Sequence, residues 1–435
     1  MKNENEDIIE LVDIRPFRGI IYNPSRFSDL SNVLSPPYDV ITTSQREQLL
    51  KKSSYNMVNL ILGKTDKSGI ENTFYKSARE LWMDWRNQDI LSRIPKPGVW
   101  KIKEQFSGPD GLTITREGFI SLIKVKAYNS DGIMGHEITH KKPKADRFRL
   151  MEHTHANLSP IFFVFDDSEK STPQLMSSFK PEQTIHSKTN FDGMVSIRSS
   201  MTMDKKWINS FSNYMKSKSV LIADGHHRYE TALKFHNTYH GDESLDTRYT
   251  LGYFVPSSSP GLIIHPTHRG IHSIPNFNPN EFLSQCNAYF DILSDNDVPK
   301  KRSSILPSLR MKTTVNKMVI LKLKPEIMQK LEDRLFPPEL ASIDVVILQE
   351  IILKIILGLS DDDISGQFNL NYYHSDKECL DKLELGKIQI ALILSQLPIN
   401  QIFAITSKGG IMPQKTTYFY PKCPVGLVMH SLEKD

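Results

Sequence analysis

The chain has 435 residues, with 54 lysines and arginines against 50 aspartates and glutamates, a formal charge of +4. That balance argues against nucleic acid or an anionic membrane surface as a partner. A hydrophobic content of 39% and a charged content of 24% suit a soluble globular protein, and the length allows two or three domains. Cys286, Cys379 and Cys423 lie far apart with no CxxC spacing, so neither a zinc site nor a disulfide framework is expected, and a reducing cytoplasm is. The polar start MKNENEDIIELVD has no signal-like apolar run. Val345–Leu359, among the longest apolar stretches, is interrupted by Gln349, Glu350 and Lys354, too soon for a membrane span.

Met1–Glu10 reads as a frayed arm. Ile14–Ile41 mixes short apolar pieces with Pro16, Pro24, Pro36 and Pro37 and reads as extended. Pro36-Pro37 stiffens the segment that carries Tyr38 and Asp39; an acid beside an aromatic there suits an active-site wall as well as a capped turn. Ser44–Lys52 is predicted helical, with Ser44 and Glu47 at capping-box spacing. Glu71–Leu91 is a stronger helix, with Phe74, Ala78, Leu81, Trp82 and Trp85 on one stripe that belongs to the core. Val99–Phe106 and Thr113–Tyr128 are predicted strands joined by Gly108-Pro109-Asp110-Gly111.

Gly135–Phe165 is rich in polar chemistry: His136, Glu137, His140, Lys142, Asp146, Arg147, His153, His155 and Asn157. HEITH matches His-Glu-x-x-His letter for letter. That motif needs a helix, and Gly135, Thr139 and Lys141-Lys142-Pro143 leave too little of one, so a metalloprotease is not favoured. Leu150–His155 is predicted helical and Ile161–Phe165 a buried strand. Ser168–Pro181 and His186–Asn190 read as loop-like or weakly helical, and Trp207–Lys216 as a helix. Tyr249–Val255, Leu262–His265, Lys317–Leu323, Ile388–Leu394 and Gln401–Thr406 read as strands, and Phe282–Phe290 and Ser342–Leu357 as helices.

The densest chemistry lies in Val220–Leu233, VLIADGHHRYETAL. An apolar run stops at Asp224-Gly225, and a helical pattern with Tyr229, Ala232 and Leu233 on one face follows: strand, tight turn, helix. Gly225 lets the backbone bend, Asp224 is placed to cap the helix, and the helix start offers N–H groups to an anion. His226, His227 and Arg228 add donors at the same place. Gly409–Thr417, GGIMPQKTT, could also cradle an anion, with Lys415 beside the glycines; it equally resembles a hairpin tip.

RPFRG at Arg15–Gly19, SPPYDV at Ser35–Val40, HEITHKKPKADR at His136–Arg147, ANLSPIFFVF at Ala156–Phe165, ADGHHRYETAL at Ala223–Leu233, IDVVILQEIIL at Ile343–Leu353 and GGIMPQKTTYFYPK at Gly409–Lys422 occur in one order over nearly the whole chain. Together they resemble the family long catalogued as domain of unknown function ten-fifteen. Its DGHHR core is similar to the phosphate-binding motif of the ParB/sulfiredoxin-like fold, whose kinase branch acts on free serine. The resemblance implies an α+β fold with mixed and antiparallel sheets, interleaved helices and a ParB/sulfiredoxin-like core. It also implies phosphorylation of free L-serine to O-phosphoserine, with ATP or ADP as donor and Mg2+ accompanying the nucleotide.

On that reading Asp224, Gly225, His226, His227, Arg228 and Lys415 bind the nucleotide, and His227 and Arg228 also serve the transfer. Asp39 or Glu137 is the base, and Tyr38, Asp146, Arg147 and Asn157 face the substrate. Phosphoryl transfer needs such positioning and charge neutralisation above all. The organisation expected is an N-terminal region 1–165, a ParB-like core 166–295 and a C-terminal region 296–435. The partners are a nucleotide and a free amino acid, with no nucleic acid or membrane, and a homodimer is left open. Two other readings compete: a metal-dependent hydrolase using Asp224, His226, His227 and His136, and a nucleotide-switched binding module without turnover.

Overall fold

Five consecutive apolar residues, IFFVF at Ile161–Phe165, are all buried, which requires cover on both faces of the strand they form. That strand lies inside the largest described sheet of the computed structural model, which describes residues 11–62, 73–108, 111–127, 132–137, 141–191, 193–294 and 307–434. The chain is α+β and divides into two units. The first comprises Met1–Gly135, Thr139–Ile263 and Pro421–Asp435; the second comprises His136–Ile138 and Ile264–Tyr420.

The first unit carries a nine-stranded mixed sheet. Its strands are β1 (Ile14–Arg15), β2 (Val99–Ser107), β3 (Thr113–Lys124), β4 (Ile133–Met134), β5 (Ile161–Phe165), β6 (Gln183–Asn190), β7 (Met194–Thr202), β8 (Val220–Asp224) and β9 (Tyr249–Pro256). They lie in the order β4-β8-β5-β9-β3-β2-β7-β6, with β1 also on β3. β4–β8 and β5–β9 are parallel and the other pairs antiparallel. The helices of this unit used below are α1 (Thr43–Lys52), α2 (Val58–Leu62), α3 (Thr73–Asn87), α4 (Lys141–Thr154), α5 (Lys205–Lys216) and α6 (His226–Tyr239). Phe119, Phe163, Phe165, Phe211, Val220, Ile222, Tyr229 and Phe254 belong to one buried cluster, in which the Phe163 and Phe254 rings stack 5.2 Å apart. Tyr229 ties α6 to the chain just past β3: its hydroxyl donates to the Lys126 carbonyl at 2.9 Å and accepts from the Lys126 amide at 3.1 Å.

Glu104 on β2 and Arg116 on β3 stand opposite each other in register, and both are fully buried. Arg116 Nε donates to Glu104 Oε2 at 2.7 Å, and the Tyr253 hydroxyl donates to the same oxygen at 2.7 Å. Arg116 Nη2 donates to the Pro421 carbonyl at 2.7 Å, so the buried pair holds the returning C-terminal segment.

The second unit carries a six-stranded antiparallel sheet of β10 (His268–Ile271), β11 (Phe290–Ser294), β12 (Ser308–Thr313), β13 (Val319–Leu323), β14 (Leu370–Tyr373) and β15 (Ile390–Ile393), in the order β11-β13-β12-β15-β10-β14. His268 is 4% exposed, and its Nδ1 accepts from the Leu394 amide at 3.1 Å. Burial lowers its pKa to about 4, so the folded chain holds it neutral.

Several expectations change. Gln401–Thr406 is not a strand but part of a helix, Ile399–Thr406, entered from Pro398 with Ile402, Ile405 and Thr406 buried. An apolar run of that length suits either state. His186–Asn190, expected as loop-like or weakly helical, belongs to the β6–β7 hairpin of residues 183–202; β6 gives little apolar signal because much of it faces outward. α1 is capped by Thr42 with Gln45 rather than by Ser44 with Glu47. The helix expected at Phe282–Phe290 runs Pro279–Cys286, and Phe290 opens β11. Ser342–Leu357 is no single α-helix: a 3-10 turn to Ser342 is followed by α-helix Asp344–Ile347 and a π-helical stretch Leu348–Ile356. α4 begins at Lys141, well before Leu150. The Trp82 and Trp85 rings are core, as expected.

Two outcomes follow from the buried charges. Arg116→Met alone should destabilise the chain by about 3–5 kcal/mol, because Glu104 is left charged in the core, while Arg116→Met with Glu104→Met should recover most of that loss. Denaturant unfolding of both variants checks this; an equally unstable double variant contradicts it. For His268 the unfolded chain binds a proton below about pH 6.5 that the folded chain refuses down to about pH 4. Its contribution is therefore complete above 6.5 and falls with acidification, by about 1.4 kcal/mol per pH unit. Between pH 7 and 4.5 the unfolding midpoint of the native chain should fall more steeply than that of His268→Gln.

Candidate active site

The β8–α6 junction takes its shape from three local features. The β8–β5 register slips between Ile222 and Asp224, a bulge that re-aims the end of the strand. Gly225 follows with φ +96°, a left-handed conformation that suits glycine. α6 then begins at His226, with Gly225 at its N-cap position.

Asp224 is not the N-cap residue the sequence expectation made it; Gly225 takes that position. Its carboxylate is held by two cations: Oδ2 accepts from Arg228 Nη2 at 2.5 Å, one helical turn on, and Oδ1 accepts from Lys422 Nζ. The side chain is 10% exposed, so the cations replace the water it has lost. Arg228 Nη1 donates to the Pro160 carbonyl, so both terminal nitrogens of the guanidinium are engaged. Its Nε is buried and has no hydrogen-bond partner. Arg228 thus orients Asp224, where the sequence reading made it a direct anion ligand. His226 is buried and His227 half-buried. Lys422 was quoted in the YPK run but given no role; it stands 198 positions from its partner, which no spacing rule reaches.

The structure gathers the acceptor-side candidates around this junction. Tyr38 lies in a 3-10 turn after Pro37, half-buried, and Asp39 beside it is exposed. The Arg147 guanidinium sits 4.1 Å from the Tyr38 ring centroid. Burial, followed by the neighbouring Asp39 charge, pushes the Tyr38 phenol up to about 12, against the pull of Arg147 and Arg228, so it stays a donor at neutral pH. Asp146 clamps Arg147, its Oδ2 accepting from Nε at 2.7 Å and Nη2 at 2.5 Å, while Oδ1 accepts from the Tyr75 hydroxyl at 2.7 Å. Arg147 Nη1 donates to the Ile61 carbonyl at 3.0 Å. Arg147, Asn157 and Arg228 line one cavity of about 50 Å³ between α4, α6 and the Ala156–Ile161 segment.

Glu137 and Lys415 belong to the second unit. Glu137 Oε1 accepts from the Thr417 amide and hydroxyl, each at 3.4 Å, and lies 3.6 Å from His136 Nε2. His136 Nε2 and Thr417 Oγ1 are 2.8 Å apart. Glu137 forms a bridge with Met412, so it sits on extended chain, and Ile138–His140 of HEITH lie outside the described residues. Lys415 is exposed at φ +55°, with its carbonyl accepting from buried Arg269 at 3.0 Å. Arg269 also reaches the Gln414 carbonyl at 3.1 Å, and burial lowers its pKa to about 10. The hydrolase set divides: His136 is in the second unit, and both Asp224 oxygens face cations.

Among the described residues no group of three or more His, Cys, Asp or Glu converges as a metal site. Mg2+ commonly takes one or two carboxylates together with substrate phosphates. In the first unit Asp224 is committed to Arg228 and Lys422 and does not fit that role. No helix of the described residues is long and apolar enough to cross a membrane.

Gly225→Ala should lower stability by about 1–3 kcal/mol, the range for such backbone strain. The added Cβ would also lie 2.8 Å from Arg228 Nε and push the guanidinium off Asp224. Thermal unfolding reads the loss; an unchanged midpoint would mean that the junction tolerates a side chain.

The model of a family described as "Protein of unknown function (DUF1015)" matches residues 14–346. No curated protein matches the sequence. Similar solved structures include a conserved hypothetical protein from Pyrococcus furiosus, 12% identical, TM-score 0.36, covering 70% of this chain and 92% of that one. A free serine kinase in complex with AMP is 11% identical, TM-score 0.38, covering 70% and 89%. SbnI with C-terminal truncation from Staphylococcus aureus is 11% identical, TM-score 0.34, covering 71% and 85%.

Proposed function

We propose, on the premise that this chain belongs to the family described as Protein of unknown function (DUF1015), that it is a nucleotide-dependent phosphotransferase acting on a small hydroxyl compound, with free L-serine as the first acceptor to test. The observation that carries the reading is the start of α6: a left-handed glycine at the N-cap position and two imidazoles in the first turn. On this reading the nucleotide phosphates lie there, as the resemblance of the DGHHR run to a ParB/sulfiredoxin-like phosphate-binding motif implies. Each charge-assisted hydrogen bond to a phosphate contributes about 1.5–3 kcal/mol, against about 0.3–1 kcal/mol from the helix dipole. Side chains and positioned amides therefore dominate.

Transfer moves a phosphoryl group from the nucleotide to the acceptor oxygen, and the hydroxyl proton passes to a base. Asp39 is that base in this reading, an exposed carboxylate next to Tyr38. Arg228 and Lys422 hold Asp224 at the rim of the junction and keep the local charge positive. Bound Mg2+ would neutralise phosphate charge. The reading rests on the first unit; Glu137 and Lys415 are not needed for it.

Phosphorus NMR of the full chain with ATP or ADP, Mg2+ and L-serine tests this. A new phosphomonoester resonance, growing as the nucleotide loses one phosphate, is expected. No transfer to serine or to any of a panel of small hydroxyl compounds contradicts the proposal. Asp39→Asn should lower turnover roughly 100-fold or more, the usual contribution of a general base, with nucleotide affinity changed less. A pure affinity loss would make Asp39 a ligand holder instead.

A further inference from the structure

Within the nine-stranded sheet, β6, β7 and the second half of β2 leave one face open. Met194, Ser196 and Arg198 of β7 are exposed while Val195 and Ile197 are buried, and on β6 His186, Lys188 and Asn190 are exposed while Ser187 and Thr189 are buried. The register sets Arg198 opposite His186 on one side and opposite Lys103 of β2 on the other. Lys101 and Lys188 share that face, two positions from Lys103 and His186.

Directly opposite residues on neighbouring strands have Cβ atoms about 4.5–5.5 Å apart, and like charges so placed are destabilising. Arg198 and Lys103 are such a pair, with His186 beside them. The carboxylate in the same row, Glu117 opposite Lys103, is paired with Lys101 at 3.5 Å. Among the described residues Lys103, Arg198 and Lys188 form no salt bridge. Solubility alone is served as well by alternating signs. The repulsion is relieved when an anion lies across the row.

Spacing narrows the class of anion. Positions on this face repeat at about 4.8 Å across strands and about 6.5 Å along them. An extended polypeptide repeats its same-face side chains at that second distance, so carboxylates at alternate positions meet Lys101 and Lys103, or His186 and Lys188, in step. Single-stranded nucleic acid stacks its bases on aromatic side chains, and no Phe, Tyr or Trp stands at an exposed position of β2, β6 or β7. We infer that this face docks an extended acidic segment of a partner protein, whose carboxylates pair with Arg198, Lys103 and Lys188. The docking is independent of the phosphotransferase reading.

Fluorescence anisotropy of the full chain with a labelled peptide of alternating glutamate and serine tests this. Saturable binding that weakens as salt is raised is expected, and the same peptide with glutamine for glutamate should not bind. Arg198→Glu should weaken the acidic peptide roughly tenfold or more. Because it faces Lys103 and His186 in register, it should also raise the thermal unfolding midpoint. Lys188→Glu, on the same face, should weaken the peptide too and reads the inference whether or not Arg198→Glu folds. Lys51→Glu, an exposed reversal on α1, should leave binding unchanged. No binding by the native chain, equal binding of the glutamine peptide, or an equal loss in Lys51→Glu and Lys188→Glu overturns the inference. So does a single-stranded oligonucleotide of matched charge that binds more tightly than the peptide and is lost in Lys188→Glu, which would give the face to nucleic acid.

Discussion

A single carboxylate, Asp224, held between Arg228 and Lys422, sets the geometry of the candidate site. A largely buried aspartate is unfavourable unless it is paired, so its two cations must arrive together. Arg228 comes from one turn along α6. Lys422 comes from the far end of the chain, and the carbonyl just before it is fixed by Arg116, itself fixed by Glu104 in the sheet interior. The junction thus inherits its precision from the core: a displaced β2–β3 pair would loosen Pro421, then Lys422, then Asp224.

In the proposed reading the first turn of α6 receives the nucleotide phosphates, with Gly225 at its N-cap position. The cavity beside it, with Arg147 under the Tyr38 ring and Asn157 in its wall, accepts only a few atoms. Arg228 lines that cavity, and its terminal nitrogens are engaged with Asp224 and Pro160. That arrangement gives arginine a positioning role at a place where its charge alone suggests direct anion binding.

Much of this was readable from residue order. Val220–Asp224 followed by a glycine and a helical pattern could hardly be anything but strand, turn and helix, and the structure has all three. Ile161–Phe165 was equally plain. The β6–β7 hairpin was hidden because Gln183–Asn190 is nearly all polar, so its alternation of inward and outward faces leaves little hydrophobic signal. The helix at Ile399–Thr406 was hidden for a different reason: its apolar run Ile402–Ile405 is too short for periodicity to separate helix from strand. Within the site, Asp224 and Arg228 are local and were found, but the role of Asp224 was misread as a cap. Lys422 could be assigned only once the fold brought it to its partner, because ion pairing across 198 positions leaves no trace in local pattern.

The central claim is that the first turn of α6 receives nucleotide phosphates. Histidine side-chain NMR of the full chain, titrated with ADP and Mg2+, addresses it most directly, because α6 contains its own control. Resonances of His226 and His227 should shift with a common, saturable dissociation constant, while His236, which meets Thr247 Oγ1 at 2.8 Å in the last turn of the same helix, should stay in place. Saturable nucleotide binding that leaves both His226 and His227 unmoved, or no binding at all, would contradict the account.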